Sequence, residues 1–160
     1  CARGCVLSAD DGRLMQVRVQ QAAFDPGVEL AGFAVGRRDI GAIVSFTGVV
    51  RDTSGDLRHM MIEHYPGMTE RAITGILDQA VARWSLADAL VIHRFGALEP
   101  AAPIMMVATA AAHRAEAFAA ADFLMDYLKS RAPFWKKEVT VSGAAWVAAK
   151  DADEAALDRW

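Results

Sequence analysis

The chain has 160 residues, 54% of them hydrophobic and 23% charged, with a formal net charge of −3. This balance supports one folded core and excludes a disordered chain, and it gives no overall positive charge with which to hold nucleic acid. Apolar runs are cut by Gly, Pro, His or Arg before they reach the roughly 20 residues that span a bilayer, so no membrane helix is expected.

Residues 1–14 show no periodicity and no apolar stretch of signal-peptide type. They read as an N-terminal extension, dispensable for folding, with residues 15–160 as the single domain. The only two cysteines, Cys1 and Cys5, lie in this segment. One CxxxC pair without a nearby histidine is no zinc signature, and a disulfide framework would find no further cysteine to staple. The reading is a reducing, cytoplasmic protein.

Gln16–Gln20 alternates in strand fashion, with Val17 and Val19 on one side. Asp25-Pro26 suits a helix start, Asp as N-cap and Pro at the first helical position, with the helix running through Leu30 and Phe33 towards Gly36. Gly41–Val50 is apolar and β-branched and predicts a strand. After the turn cluster 52–56, Leu57–His64 predicts a second strand, and the two are expected to pair as a hairpin. Tyr65-Pro66-Gly67 breaks the chain. Thr69 is then expected to cap a helix whose buried face carries Ile73, Ile76, Leu77, Ala80 and Trp84. Ala89–Phe95 reads as a strand, Gly96–Pro103 as a loop, and Ile104–Ala111 as a central strand. Arg114–Arg131 is the longest predicted helix, with an inner stripe of Phe118, Ala121, Met125 and Leu128, and Pro133 ends it. Lys137–Val141 and Gly143–Ala148 predict two last strands, and Asp151–Trp160 a terminal helix. Helices and strands mix without a βαβ rhythm, so the fold class is α+β with a largely antiparallel sheet.

Three segments place cations at the ends of predicted elements. Arg51 follows the Gly41–Val50 strand. His113-Arg114 opens the long helix, where backbone N–H groups already favour anions. Lys129, Arg131, Lys136, Lys137 and Glu138 surround Pro133-Phe134-Trp135. Each alone also fits a solvated surface, and a lysine in the last turn of a helix suits the helix dipole. Gathered in one pocket, they would bind an anionic substrate, and partial burial beside other cations would lower an ammonium pKa towards a usable nucleophile or base. His59, His64 and His93 make no HExxH or Cys/His zinc spacing and read as packed or half-exposed strand residues.

These segments, taken in order, resemble a known family. Phe46-Thr47-Gly48-Val49-Val50-Arg51 resembles a signature strand with its arginine. Glu63-His64-Tyr65-Pro66-Gly67-Met68-Thr69 resembles a strand-to-helix turn, and Ile92-His93-Arg94-Phe95-Gly96 a strand ending in glycine. Ala112-His113-Arg114 with Ala117-Phe118 resembles a second basic site. The strongest likeness is the run Met125-Asp126-Tyr127-Leu128-Lys129-Ser130-Arg131-Ala132-Pro133-Phe134-Trp135-Lys136-Lys137-Glu138. The family is the molybdopterin synthase large, catalytic subunit, and the resemblance extends from about Met15 to Trp160.

The resemblance implies an α/β hammerhead-type fold with a mostly antiparallel sheet plus a smaller α+β part. It implies a homodimer that binds a small ubiquitin-like sulfur carrier, giving a heterotetramer. The carrier's C-terminal Gly-Gly thiocarboxylate would enter a pocket and pass sulfur to cyclic pyranopterin monophosphate, two transfers building the molybdopterin dithiolene. Lys129 and Lys136 match the family's catalytic lysines. Arg51, His113 and Arg114 match its substrate-binding cations, and Lys129, Lys136, Lys137 and Glu138 complete the binding set. Lys129 is expected to meet the acyl carbon, one lysine being partly neutral and the other charged. Val49 stands where some relatives carry a basic residue. No metal, cofactor, nucleic acid or membrane is implied. The competing readings are a non-catalytic anion-binding or adaptor module of the same fold, which retention of both lysines argues against, and a nucleic-acid binder, which the net charge argues against.

Overall fold

The structure is a computed structural model that describes residues 15–148 and 151–160; the expected extension 1–14, with both cysteines, lies outside the described residues. Met15–Gln20 forms β1, and Pro26–Gly32 forms α1. Asp25 caps α1 as its type predicts, its carboxylate accepting from Gly27 N at 2.8 Å and Val28 N at 3.1 Å. The helix stops at Phe33, short of Gly36. Ala42–Val49 is β2, Leu57–His64 is β3 and Met68–Trp84 is α2. Asp88–Arg94 is β4, Gly96–Leu98 is β5, Pro103–Ala111 is β6 and Arg114–Ser130 is α3. Phe134–Thr140 is β7 and Ala144–Trp146 is β8; Asp151–Ala155 is α4, continued by one 3-10 turn, Ala156–Arg159.

The described strands make two four-stranded sheets, ordered β1-β4-β6-β2 and β5-β3-β7-β8, antiparallel throughout except for the β1–β4 pair. The α+β class and mostly antiparallel pairing agree with the sequence. α2 and α3 pack on one face of the first sheet, burying Ala89, Val91, Met105 and Val107 with Ile73, Leu77, Ala120 and Leu124. The other face buries Leu90, Ile92, Met106 and Ala108 under Phe24 and Phe33. Burial on both faces explains why β4 and β6 read as unbroken apolar runs. No helix among the described residues is long and apolar enough to cross a membrane.

The structure corrects several expectations. β2 and β3 are not a hairpin, because they belong to different sheets. After β2 the chain is tied to the stretch before β6, Val50 N–H donating to Ala102 O at 2.9 Å and Ala101 N–H to Val50 O at 2.8 Å. β2 takes β6 as its partner, and β3 pairs with β5 and β7. The helix cap is Gly67 rather than Thr69. Gly67 has φ +80°, which glycine adopts without strain, and its N–H donates to the Glu70 carboxylate at 2.6 Å. Thr69 is fully buried, its hydroxyl donating to Tyr65 O at 3.0 Å. α3 buries Ala121 and Leu128 as expected, together with Ala117, Ala120, Phe123 and Leu124, whereas Phe118 is 63% exposed. Alanines there let the helix sit close enough for Thr109 Oγ1 to reach Ala117 O at 2.8 Å, and a phenylalanine on that line would hold it off. The expected 96–103 loop contains β5, and the terminal segment is a short helix and a 3-10 turn rather than one helix.

Candidate functional site

Only Ala112 and His113 separate β6 from α3, so the helix doubles back along the sheet and packs over β6 and β2. Its last turn, carrying Lys129, therefore returns to the sheet end where β2 finishes beside Pro103 and Arg51 follows. The strand β7 starts four residues after α3 and brings Lys136 to the same end.

Register fixes where Lys136 faces. It lies opposite Ile62, which is 1% exposed, so both side chains occupy the inner face of the β3–β7 pair. Burial lowers the Lys136 pKa first, the Lys129 ammonium lowers it further, and the Asp153 carboxylate of α4 opposes them. Lys129 is half-exposed and forms an ion pair with Asp153 at 3.8 Å. Asp153 is held in place by its carbonyl, which accepts from Ser130 Oγ at 2.7 Å. The two lysines thus have unlike surroundings. Lys136 is desolvated, whereas Lys129 is wet and paired with a carboxylate.

An aromatic and imidazole wall stands beside Lys136. His93, 3% exposed, stacks on Phe134 with ring centroids 3.7 Å apart and planes 14° from parallel. Its Nδ1 is 2.8 Å from Arg94 O, which fixes a proton on that nitrogen. Burial pushes the His93 pKa down to about 3, with the charges of Lys136 and His64 acting the same way, so its ring is neutral at working pH. His64 lies opposite Phe134 and contacts Phe95 at 4.4 Å.

Arg51 lines a recess of about 50 Å³ with Asp52, Ser54, Asp56, Glu138 and Thr140. Glu138 is two residues beyond Lys136 on the same face of β7, so Arg51, Glu138, Lys136 and Lys129 share one end of the molecule. Lys137 points to the opposite face, its ammonium 5.3 Å from the Trp146 ring centroid. His113 and Arg114 are exposed at the start of α3. Fifteen residues of helix separate Arg114 from Lys129, roughly 22 Å at 1.5 Å per residue. Arg51 and His113 likewise lie beyond opposite ends of the β2–β6 ladder, roughly 25 Å apart or more. A single chain therefore does not gather all the cations that the sequence suggested would converge.

From the sequence, His64 and His93 read only as packed or half-exposed strand residues, and Asp153 carried no role. No local pattern marks a histidine that gains its role from a strand register made across the chain. The histidine next to the Tyr65-Pro66-Gly67 break and the phenylalanine two residues before Lys136 were the available signals. A roomier cavity of about 270 Å³ lies on the other face of the first sheet, lined by Gln16, Glu29, Phe33, Arg37, Asp88 and Leu90, and neither lysine reaches it.

Residues 19–131 match the MoaE protein family model. The chain is 70% identical over 146 residues to a molybdopterin synthase catalytic subunit of Cereibacter sphaeroides, covering 91% of this chain and all of that one. The molybdopterin biosynthesis MoaE protein of Burkholderia ambifaria superposes with a TM-score of 0.77 at 48% identity, over 90% of this chain and 96% of that one. A molybdopterin synthase structure from Staphylococcus aureus superposes with a TM-score of 0.74 at 26% identity, over 82% and 96%. With the fold and these likenesses in agreement, the chain belongs to the MoaE family, the catalytic subunits of molybdopterin synthase, enzymes of molybdenum cofactor biosynthesis.

Proposed function

We propose that this chain is a sulfurtransferase that moves sulfur from the C-terminal thiocarboxylate of a small ubiquitin-like carrier to cyclic pyranopterin monophosphate, forming the molybdopterin dithiolene. The observation that carries the reading is the unlike lysine pair at one end of the fold. Acyl chemistry at a thiocarboxylate calls for a neutral amine, as nucleophile or base, and for fixed positive charge beside the oxygen that becomes anionic. Lys136, with its pKa lowered by burial, suits the first role. Lys129, half-exposed and paired with Asp153, suits the second and meets the incoming tail. This division refines the expectation that Lys129 attacks the acyl carbon. The carrier's glycines would let its tail approach without side chains in the way.

Arg51, with Glu138 across its recess, would hold part of the phosphorylated pterin. His113 and Arg114 stand too far away in the same chain, so in this reading they come from the second subunit of a homodimer, and each site is shared between copies. A carrier bound to each subunit completes a heterotetramer. The cytoplasmic location is part of the same proposal.

The test is a single-turnover reaction of the protein with thiocarboxylated carrier and cyclic pyranopterin monophosphate. Mass spectrometry should show loss of carrier sulfur and gain of two sulfurs by the pterin. Carrier that keeps its sulfur while bound to the protein would favour the adaptor reading instead.

A further inference from the structure

The lysine chemistry leaves one group beside the site without a task. His64 ends β3 on the inner face, directly opposite Phe134, while Lys136 is opposite Ile62. His64 and Lys136 are therefore diagonal cross-strand neighbours on one face, about 7–8 Å between backbones, a separation that an imidazole and a lysine span easily. The His64 ring is clamped by Phe95 at 4.4 Å and Phe134 at 6.2 Å. The next residue is anchored too, Tyr65 O accepting from the Thr69 hydroxyl and from Thr69 N–H at 3.0 Å each. Within this fixed frame, His64 Nδ1 is buried and has no hydrogen-bond partner. Buried polar atoms are nearly always satisfied in a finished structure, so an unengaged ring nitrogen diagonal to Lys136 is one that can take up a proton from it.

We propose that His64 is the proton-exchange partner of Lys136: it accepts a proton from the ammonium to free the amine and returns it when the cycle closes. The exchange moves one proton between two nitrogens and needs no other reactant. The neighbouring imidazole cannot substitute. His93 has its Nδ1 proton engaged by Arg94 O and is held neutral by burial. His64 and Lys136 both act on His93 electrostatically, which places the three side chains in one cluster. The charged and titratable groups of this cluster are Lys136 on β7 and His93 on β4, with Lys129 on α3 and Asp153 on α4 acting on Lys136, and Glu63 on the opposite face of β3.

This inference deepens the sulfur-transfer reading and depends on it for its kinetic part, so the test has two arms. The first needs no turnover. Histidine resonances of the full chain are recorded by NMR in wild type and in Lys136→Ala, with Lys136→Met as the second variant should the first fail to fold. Because the two side chains share one face, the His64 ring resonances should move in the variant while those of His113, at the far end of the fold, stay in place. His64 resonances that do not move overturn the proposal. The second arm is the pH dependence of single-turnover sulfur transfer. His64→Phe, which keeps an aromatic ring between Phe95 and Phe134, should lose roughly tenfold or more in rate and lose the acidic limb of the profile. His64→Asn serves if the phenylalanine variant does not fold. A folded variant with the wild-type rate and profile overturns the proposal. A wild type that transfers no sulfur overturns the sulfur-transfer reading and leaves the NMR arm to decide whether His64 and Lys136 are in contact.

Discussion

Lys136 is a cation placed where solvent is scarce, and its surroundings determine how it responds to pH. Its folded pKa lies below the ordinary lysine value of 10.5, with burial as the first cause. Between those two values the unfolded chain holds more protons than the folded one, so stability rises as pH climbs through the window. Partial burial makes the charged form of Lys136 costly, and Lys136→Met should stabilise the fold by ~1 kcal/mol in urea denaturation while abolishing turnover. A destabilised methionine variant would mean that the charge is well solvated. His93 gives a second pH signature. Its folded pKa of about 3 lies below the unfolded 6.5. The His93 contribution to stability should therefore be flat above pH 6.5 and fall as pH drops towards 3, amounting to roughly 2 kcal/mol of loss by pH 5. His93→Phe should remove that component while keeping the stack on Phe134. An acid dependence of unfolding unchanged in this variant would contradict the assignment. The basic residues themselves were legible in the sequence, since each sits at the end of a predicted element. The unlike environments of Lys129 and Lys136 were not, because burial follows from the Ile62 register and the Asp153 ion pair, both made by residues distant in the chain.

Among the elements, α3 does most to place the site, and the C-terminal segment holds its end. Arg159 pairs with Asp122 and Asp126, Trp160 Nε1 donates to Asp126 at 2.7 Å, and the Trp160 ring packs edge-on against Trp84 and Phe123. Asp153 sits in the same segment and raises the Lys136 pKa. Asp153→Asn should shift the rate–pH curve to lower pH, because Lys136 then loses its proton more readily. A shift to higher pH, measured by the same single-turnover assay, would show that Asp153 acts on another group. Most elements were visible as periodicity: the Asp25-Pro26 start of α1, the two-sided apolar runs of β4 and β6, and the long helix stopped before Pro133. Strand partnership was not. Leu57–His64 reads as a strand from its residue types, but nothing local says that it pairs with Phe134–Thr140 instead of the strand just before it. In the stripe of α3, Ala121 and Leu128 were legible but Ala117 was not, since close packing against Thr109 places an alanine there and leaves the larger Phe118 outside.

At the scale of the whole molecule, the fold separates two sets of cations, Arg51 with the lysine pair at one end of the first sheet and His113-Arg114 at the other. If each site is shared between copies, a Lys136→Ala chain and an Arg114→Ala chain, each inactive alone, should regain activity when mixed and allowed to exchange subunits, since one site in the mixed dimer is then intact. No recovery in a verified mixed dimer would confine the site to one chain. In the proposed acyl chemistry Lys136 supplies the amine and Lys129 a fixed charge, and arginine substitutions separate the two roles because a guanidinium keeps its proton. The measurement is single-turnover sulfur transfer by Lys136→Arg and Lys129→Arg beside wild type, with folding checked by circular dichroism. Lys136→Arg should lose at least about a hundredfold in rate, while Lys129→Arg keeps a substantial fraction of it. A folded Lys136→Arg protein with near-normal rate would rule out the amine role of Lys136.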